Sequence, residues 1–156
     1  MATPVSLMVA NASLGTVGQP TESPVSSTVP LPITGAFVQP NSVALASSSG
    51  NVANASAVAT LAGAAGLTTY ISGFEITGAG ATAASVVTAT ITGLLGGTLT
   101  YVIAVPAGVT APLPSLVVPF FPPLPSSSVN TNIVVTLSAL GAGNTNAAVV
   151  AHGFRS

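Results

Sequence analysis

Four side chains of this chain could exchange protons or pair ions near neutral pH: Glu22, Glu75, His152 and Arg155. General acid–base catalysis needs a titratable group and a partner that tunes it. Glu75 has no second carboxylate in its own part of the chain, which argues against a two-carboxylate glycosidase site. A Ser-His-Asp triad lacks its Asp, and only Glu75 or Glu22 could replace it. His152 is the sole histidine, and a lone His near the end of a chain reads as a packed or solvated residue. Metal binding needs clustered His, Cys, Asp or Glu, and the sequence has no such cluster. Cysteine is absent, which excludes disulfides and a thiolate nucleophile. The expectation is a protein that is not an enzyme and has no cofactor.

The glycines after Ile76 pose the other chemical question. "GAGATA" (residues 78–83) fits the G-x-G-x-x-G/A dinucleotide fingerprint and comes after a strand pattern. The next segment, "SVVTATIT", is a second strand pattern, where pyrophosphate binding needs a helix N-terminus. The stretch therefore reads as a turn between strands.

The elements that carry these residues are almost free of charge. Asp, Glu, Lys and Arg make up 2% of the chain, against about 25% in ordinary soluble domains. Ionised groups normally keep a free monomer in solution. A chain without them suits an assembly in which neighbours cover much of its surface. One arginine cannot track a phosphate backbone, so no nucleic-acid partner is expected. Mean hydropathy is +0.81, and residues 81–103 would score as a membrane span. That run is rich in Thr and Gly, alternates with period two, and lacks flanking Lys or Arg. No membrane span is expected.

From residue 52 onward the pattern is that of half-buried strands. Val87, Ala89 and Ile91 alternate with Thr88, Thr90 and Thr92. Leu99, Tyr101, Ile103 and Val105 alternate with Thr100, Val102 and Ala104, and Ile133, Val135 and Leu137 share a face. In "TYISGFEIT", strict alternation sets Tyr70, Ser72, Phe74 and Ile76 on one face and Ile71, Gly73, Glu75 and Thr77 on the other. "SLVVPF" is short and broken by Pro119, an edge-strand signature. About seven short strands and no helix over residues 52–156 predict an all-β sandwich of jelly-roll or Ig-like type. The Pro-rich run 111–128 reads as a crossing between strands. Its Phe120 and Phe121 either cap the core or form a stiff contact surface.

Residues 1–51 differ. Prolines recur among Ser, Thr, Gly and Asn, and apolar residues such as Phe37 stand singly or in short groups. This composition reads as an extended arm with polyproline character. At full extension it spans up to roughly 170 Å, against a radius of gyration of roughly 13 Å for the domain it joins. An arm of this kind suits docking onto another surface.

Two stretches, residues 77–109 and residues 130–154, carry a further likeness. A "GFE-[IV]-TGAGATAAS" segment, a "GGT-[LM]-[ST]-Y" hairpin and a "GNTNAA…HGF" ending, all present here, resemble a group of small tailed-bacteriophage virion proteins. The resemblance covers about residues 70–154 and not the arm. It implies a component of the virion surface, with Glu75 and His152 as framework positions of the group.

The leading expectation is a capsid decoration, or cement, protein that binds the shell of major capsid protein and self-associates, as a homotrimer. Glu75, Arg155, Phe120, Phe121 and Phe37 are the candidate interface residues, with Glu75 and Arg155 a candidate ion pair within or between subunits. A tail or head-fibre component is the alternative. A glycan-binding or adhesin module is the alternative of another class, weakened by the presence of two Tyr and no Trp.

Overall fold

The computed structural model describes residues 42–156, and the described residues form eight strands. These are β1 (Val43–Ser48), β2 (Ala57–Leu61), β3 (Thr69–Gly78), β4 (Ser85–Thr92), β5 (Leu99–Val105), β6 (Leu116–Pro125), β7 (Ile133–Leu137) and β8 (Ala147–Arg155). Two 4-stranded sheets result, ordered β1-β8-β3-β6 and β2-β7-β4-β5. All strand pairings are antiparallel. Only the β4–β5 hairpin stays within one sheet; every other connection crosses to the opposite one. Eight strands interleaved in this order make a jelly roll.

Burial tracks the alternation. Ala89 and Ile91 of β4, Ile103 and Val105 of β5, and Ile133, Val135 and Leu137 of β7 point into the core. From the other sheet come Ile71, Phe74 and Ile76 of β3 and Ala147, Val149 and Ala151 of β8. Each large apolar side chain removed from water stabilises the fold by about 1.5–3 kcal/mol before entropy is charged against it. Phe74 bridges the layers, edge-on to Tyr101 of β5 with ring centroids 5.2 Å apart.

Three expectations are corrected. Residues 43–48, expected in the arm, form β1 and pair with β8 from Val43↔Arg155 to Ser48↔Val150. The short apolar alternation of Val43 and Leu45 inside a Ser-rich stretch is a weak local signal, but the exposed flank of β8 supplies the backbone partner that fixes it. The second correction is β6. It is an edge strand, as Pro119 indicated, but it runs ten residues through Pro125 and takes in most of the supposed crossing. Proline is tolerated there because an edge strand leaves one row of N–H positions unused.

The third correction is the facing of the first residues of β3; Phe74 and Ile76 share the inner face and Glu75 the outer, as expected. Strict alternation fails at Ser72. Ile71 stands opposite Gly153 of β8, and Gly73 stands opposite His152, so Ser72 is an extra residue. This bulge reverses the facing of everything after it. Thr69 and Ile71 point inward before it, Phe74 and Ile76 after it. Tyr70 therefore lies on the outer face, stacked on Phe154 with centroids 4.9 Å apart, and Ile71 takes the core position. Gly153 is required at this crossing, because a Cβ there would overlap the Tyr70 carbonyl oxygen.

Residues 81–103, the run with span-like hydropathy, are the end of the loop before β4, β4 itself, its turn and most of β5. Among the described residues, no helix is long and apolar enough to cross a membrane.

Candidate functional site

The bulge at Ser72 fixes what the outer face of β3 presents. Glu75 stands opposite Val150 of β8 and Val117 of β6, and Gly73 stands opposite His152 and Pro119. Gly73 packs against β6, where a Cβ would come to 2.9 Å from the Val118 carbonyl oxygen, and Glu75 and His152 flank it on neighbouring strands. The two approach diagonally, with Glu75 Oε1 3.9 Å from His152 Nε2. The "GFE" and "HGF" segments, far apart in sequence, are thus neighbouring strands.

Around this pair lies a shallow open depression of about 190 Å³, walled by Val117, Pro119 and Gly73. Pockets for small ligands usually hold about 300–1,000 Å³ and are more enclosed. The side chains of Glu75 and His152 are 48% and 47% exposed, so water solvates both. Ser72 lines the same depression. No hydrogen bond among the described residues joins its hydroxyl to His152, so the three do not form a nucleophile–base–carboxylate relay. No group of three or more His, Cys, Asp or Glu that could hold a metal ion exists among the described residues. What the pair can do is exchange hydrogen bonds with a surface laid over it.

Arg155 is elsewhere. It stands opposite Thr69 of β3 and Val43 of β1, six residues along β3 from Glu75, a separation on the order of 20 Å. The expected Glu75–Arg155 pair is not formed within the chain; Glu75 meets His152 instead. Among the described residues, Arg155 Nε, Thr69 Oγ1 and Ser42 Oγ are buried without a hydrogen-bond partner. The register gathers these three groups at one end of the sheet. Unpaired buried polar atoms are uncommon in folded proteins.

The two phenylalanines differ in burial. Phe120 packs against the core, 6.2 Å from Phe74. Phe121 projects outward and is 87% exposed. Phe37 and Glu22 lie outside the described residues. The Tyr70–Phe154 stack was missed in the sequence; the glycine inside an otherwise regular strand pattern, Gly73, is the signal that marks such a bulge.

The "GAGATA" loop offers nothing to a phosphate. The N–H groups of Ala79, Gly80, Ala81 and Thr82 donate to the carbonyls of Asn146, Ala111, Pro106 and Ala142 at 2.7–3.1 Å. Buried Asn144 locks the loop from below, its Nδ2 donating to the carbonyls of Ala79, Gly80 and Asn146. A Cβ on Gly80 would overlap the carbonyl oxygens of Pro106 and Gly108. The glycine serves close backbone packing.

No family model, no curated protein and no solved structure matches the chain.

Proposed function

We propose that this chain is a structural protein of a tailed-bacteriophage particle, one that decorates the shell of major capsid protein and stabilises it. The observation that carries the reading is the surface of the sandwich. It exposes Val58, Val86, Leu95, Val102, Val117 and Phe121, while Glu75 and His152 make the one contact between titratable side chains among its described residues. Scattered exposed apolar residues are ordinary, but ordinary domains surround them with charge. This one does not, and cover by neighbouring subunits supplies what charge supplies elsewhere.

The jelly roll is a framework that serves viral shells and lectins alike, so the fold alone is an analogy. The chemistry favours a shell component over a lectin. Tyr70 and Phe154 are stacked on one another, so each covers a ring face that a sugar would need. Residues 1–41 then act as the arm that lies across neighbouring capsid subunits.

Purified chain mixed with shells that lack it tests the reading by co-sedimentation. Saturation at a fixed ratio of chain to capsid subunit is the expected result. Binding to isolated tails with none to shells would move the chain to the tail. Retention on glycans without shells would make it an adhesin module.

A further inference from the structure

Each sheet of the sandwich ends in two edge strands, and the four edges are treated differently. Exposed edges are where chains pair with other chains, and natural proteins blunt them with proline, charge, bulges or cover. On β6, Pro119, Pro122, Pro123 and Pro125 lack N–H donors. The β1 and β2 edges close on each other, with Thr60 N–H of β2 donating to Ser47 Oγ of β1 at 3.0 Å. Among the described residues, no such device is present on β5. Its sequence "LTYVIAV" contains no proline and no charge, and its pairing with β4 runs without a register shift.

One hydrogen bond sets the direction of its backbone groups. Ser138 N–H donates to the Thr88 carbonyl at 3.0 Å, so Thr88 turns its backbone groups towards β7. Thr88 stands opposite Val102. Facing residues of an antiparallel pair point their backbone groups either at each other or both away. The N–H and C=O of Val102 therefore point out of the sheet, and by alternation so do those of Thr100 and Ala104. All three residues are exposed, Val102 at 73%.

We propose that β5 is a strand-pairing edge whose occupant is β5 of a second copy, antiparallel about a two-fold axis at Val102. That register sets Val102 against the same residue of the second copy and Thr100 against Ala104. Each facing pair exchanges two backbone bonds, about six in all. The strand is uncharged, so meeting its own copy brings no like-charge repulsion. The β2-β7-β4-β5 sheet then continues into the same sheet of the second copy, and β-branched Val102 gains a cross-strand neighbour. This contact needs no shell and does not rest on the virion reading. It has two-fold symmetry, so the assembly it forms in solution contains two copies where the sequence alone led to an expectation of three.

Analytical ultracentrifugation of the full chain over a range of concentrations tests the proposal, with two variants at one position. Val102→Pro removes an N–H that the β4–β5 ladder does not use, so the fold tolerates it as edge strands tolerate proline. Val102→Lys sets two like charges against each other across the axis. The expected result is a two-copy species for the natural chain, weakened at least about tenfold by either variant, with far-UV circular dichroism unchanged. If Val102→Pro does not fold, Val102→Lys decides alone. A natural chain that stays single, or a three-copy species that folded Val102→Lys leaves intact, overturns the proposal. So does association that survives Val102→Lys and is lost on removing residues 1–41, which would assign the contact to the N-terminal segment.

Discussion

Glu75 of β3 and His152 of β8 meet diagonally across neighbouring strands. Gly73 occupies the position on β3 directly opposite His152, and the carboxylate two residues further on reaches back to 3.9 Å from the imidazole. The bulge at Ser72 makes this possible, because without it Glu75 would face the core. A charged group in the centre of a strand is thus held outward by one extra residue, in a chain that has almost no others.

The pair is solvated, so its energetic role is small. Glu75→Gln is expected to lower the unfolding free energy by less than about 1 kcal/mol, read from urea denaturation. His152→Gln should do the same, and the double variant should show coupling below about 1 kcal/mol. A loss of several kcal/mol from either single change would mean that the pair holds the sheets together. Shell binding is the property that Glu75→Gln should reduce if the depression lies in the contact.

The β3–β8 crossing is closely packed at Gly153. Gly153→Ala forces a methyl group into the Tyr70 carbonyl oxygen and against Leu61, and a loss of about 1–3 kcal/mol is expected. Gly96→Ala, in the β4–β5 turn, meets nothing within 4 Å and should stay within about 0.5 kcal/mol of the natural chain. Equal effects at the two glycines would contradict the packing described.

Legibility in the sequence depended on range. The Thr/Val alternation of β4 and β5 and the Ile133, Val135, Leu137 stripe of β7 disclosed both strand and facing, because period two is local information. The reversal in β3 was not legible from strict alternation, which counted Ser72 as an ordinary member of the Phe74 and Ile76 face; only β8 laid beside it shows the extra residue. β1 and the length of β6 were hidden for a related reason. Ser and Pro score poorly in strands, and only a neighbouring strand with free backbone groups makes the pairing favourable. The Glu75–His152 contact joins residues from distant parts of the chain, and the expected partner, Arg155, was separated from Glu75 by register alone.

The boundary at β1 has a practical consequence. Removing residues 1–41 keeps all eight described strands, and the shortened chain should give the same strand signal by circular dichroism and a cooperative thermal transition. Removing residues 1–51 deletes β1, uncovers the flank of β8 and takes away the Ser47 acceptor of Thr60 N–H. That chain should melt at least several degrees lower or fail to fold. An arm-deletion experiment on shell binding therefore belongs at residue 41, where loss of attachment cannot be confused with loss of fold.

A role on the shell stands or falls with where this chain sits when it is at work. Electron cryomicroscopy of shells lacking the chain, before and after saturation with the purified protein, measures this directly. The predicted result is added density the size of one sandwich per site, repeated at icosahedral positions on the outer surface, with a thinner extension running over adjacent capsid subunits. Saturated shells with no added density, or density confined to the tail, would contradict that role.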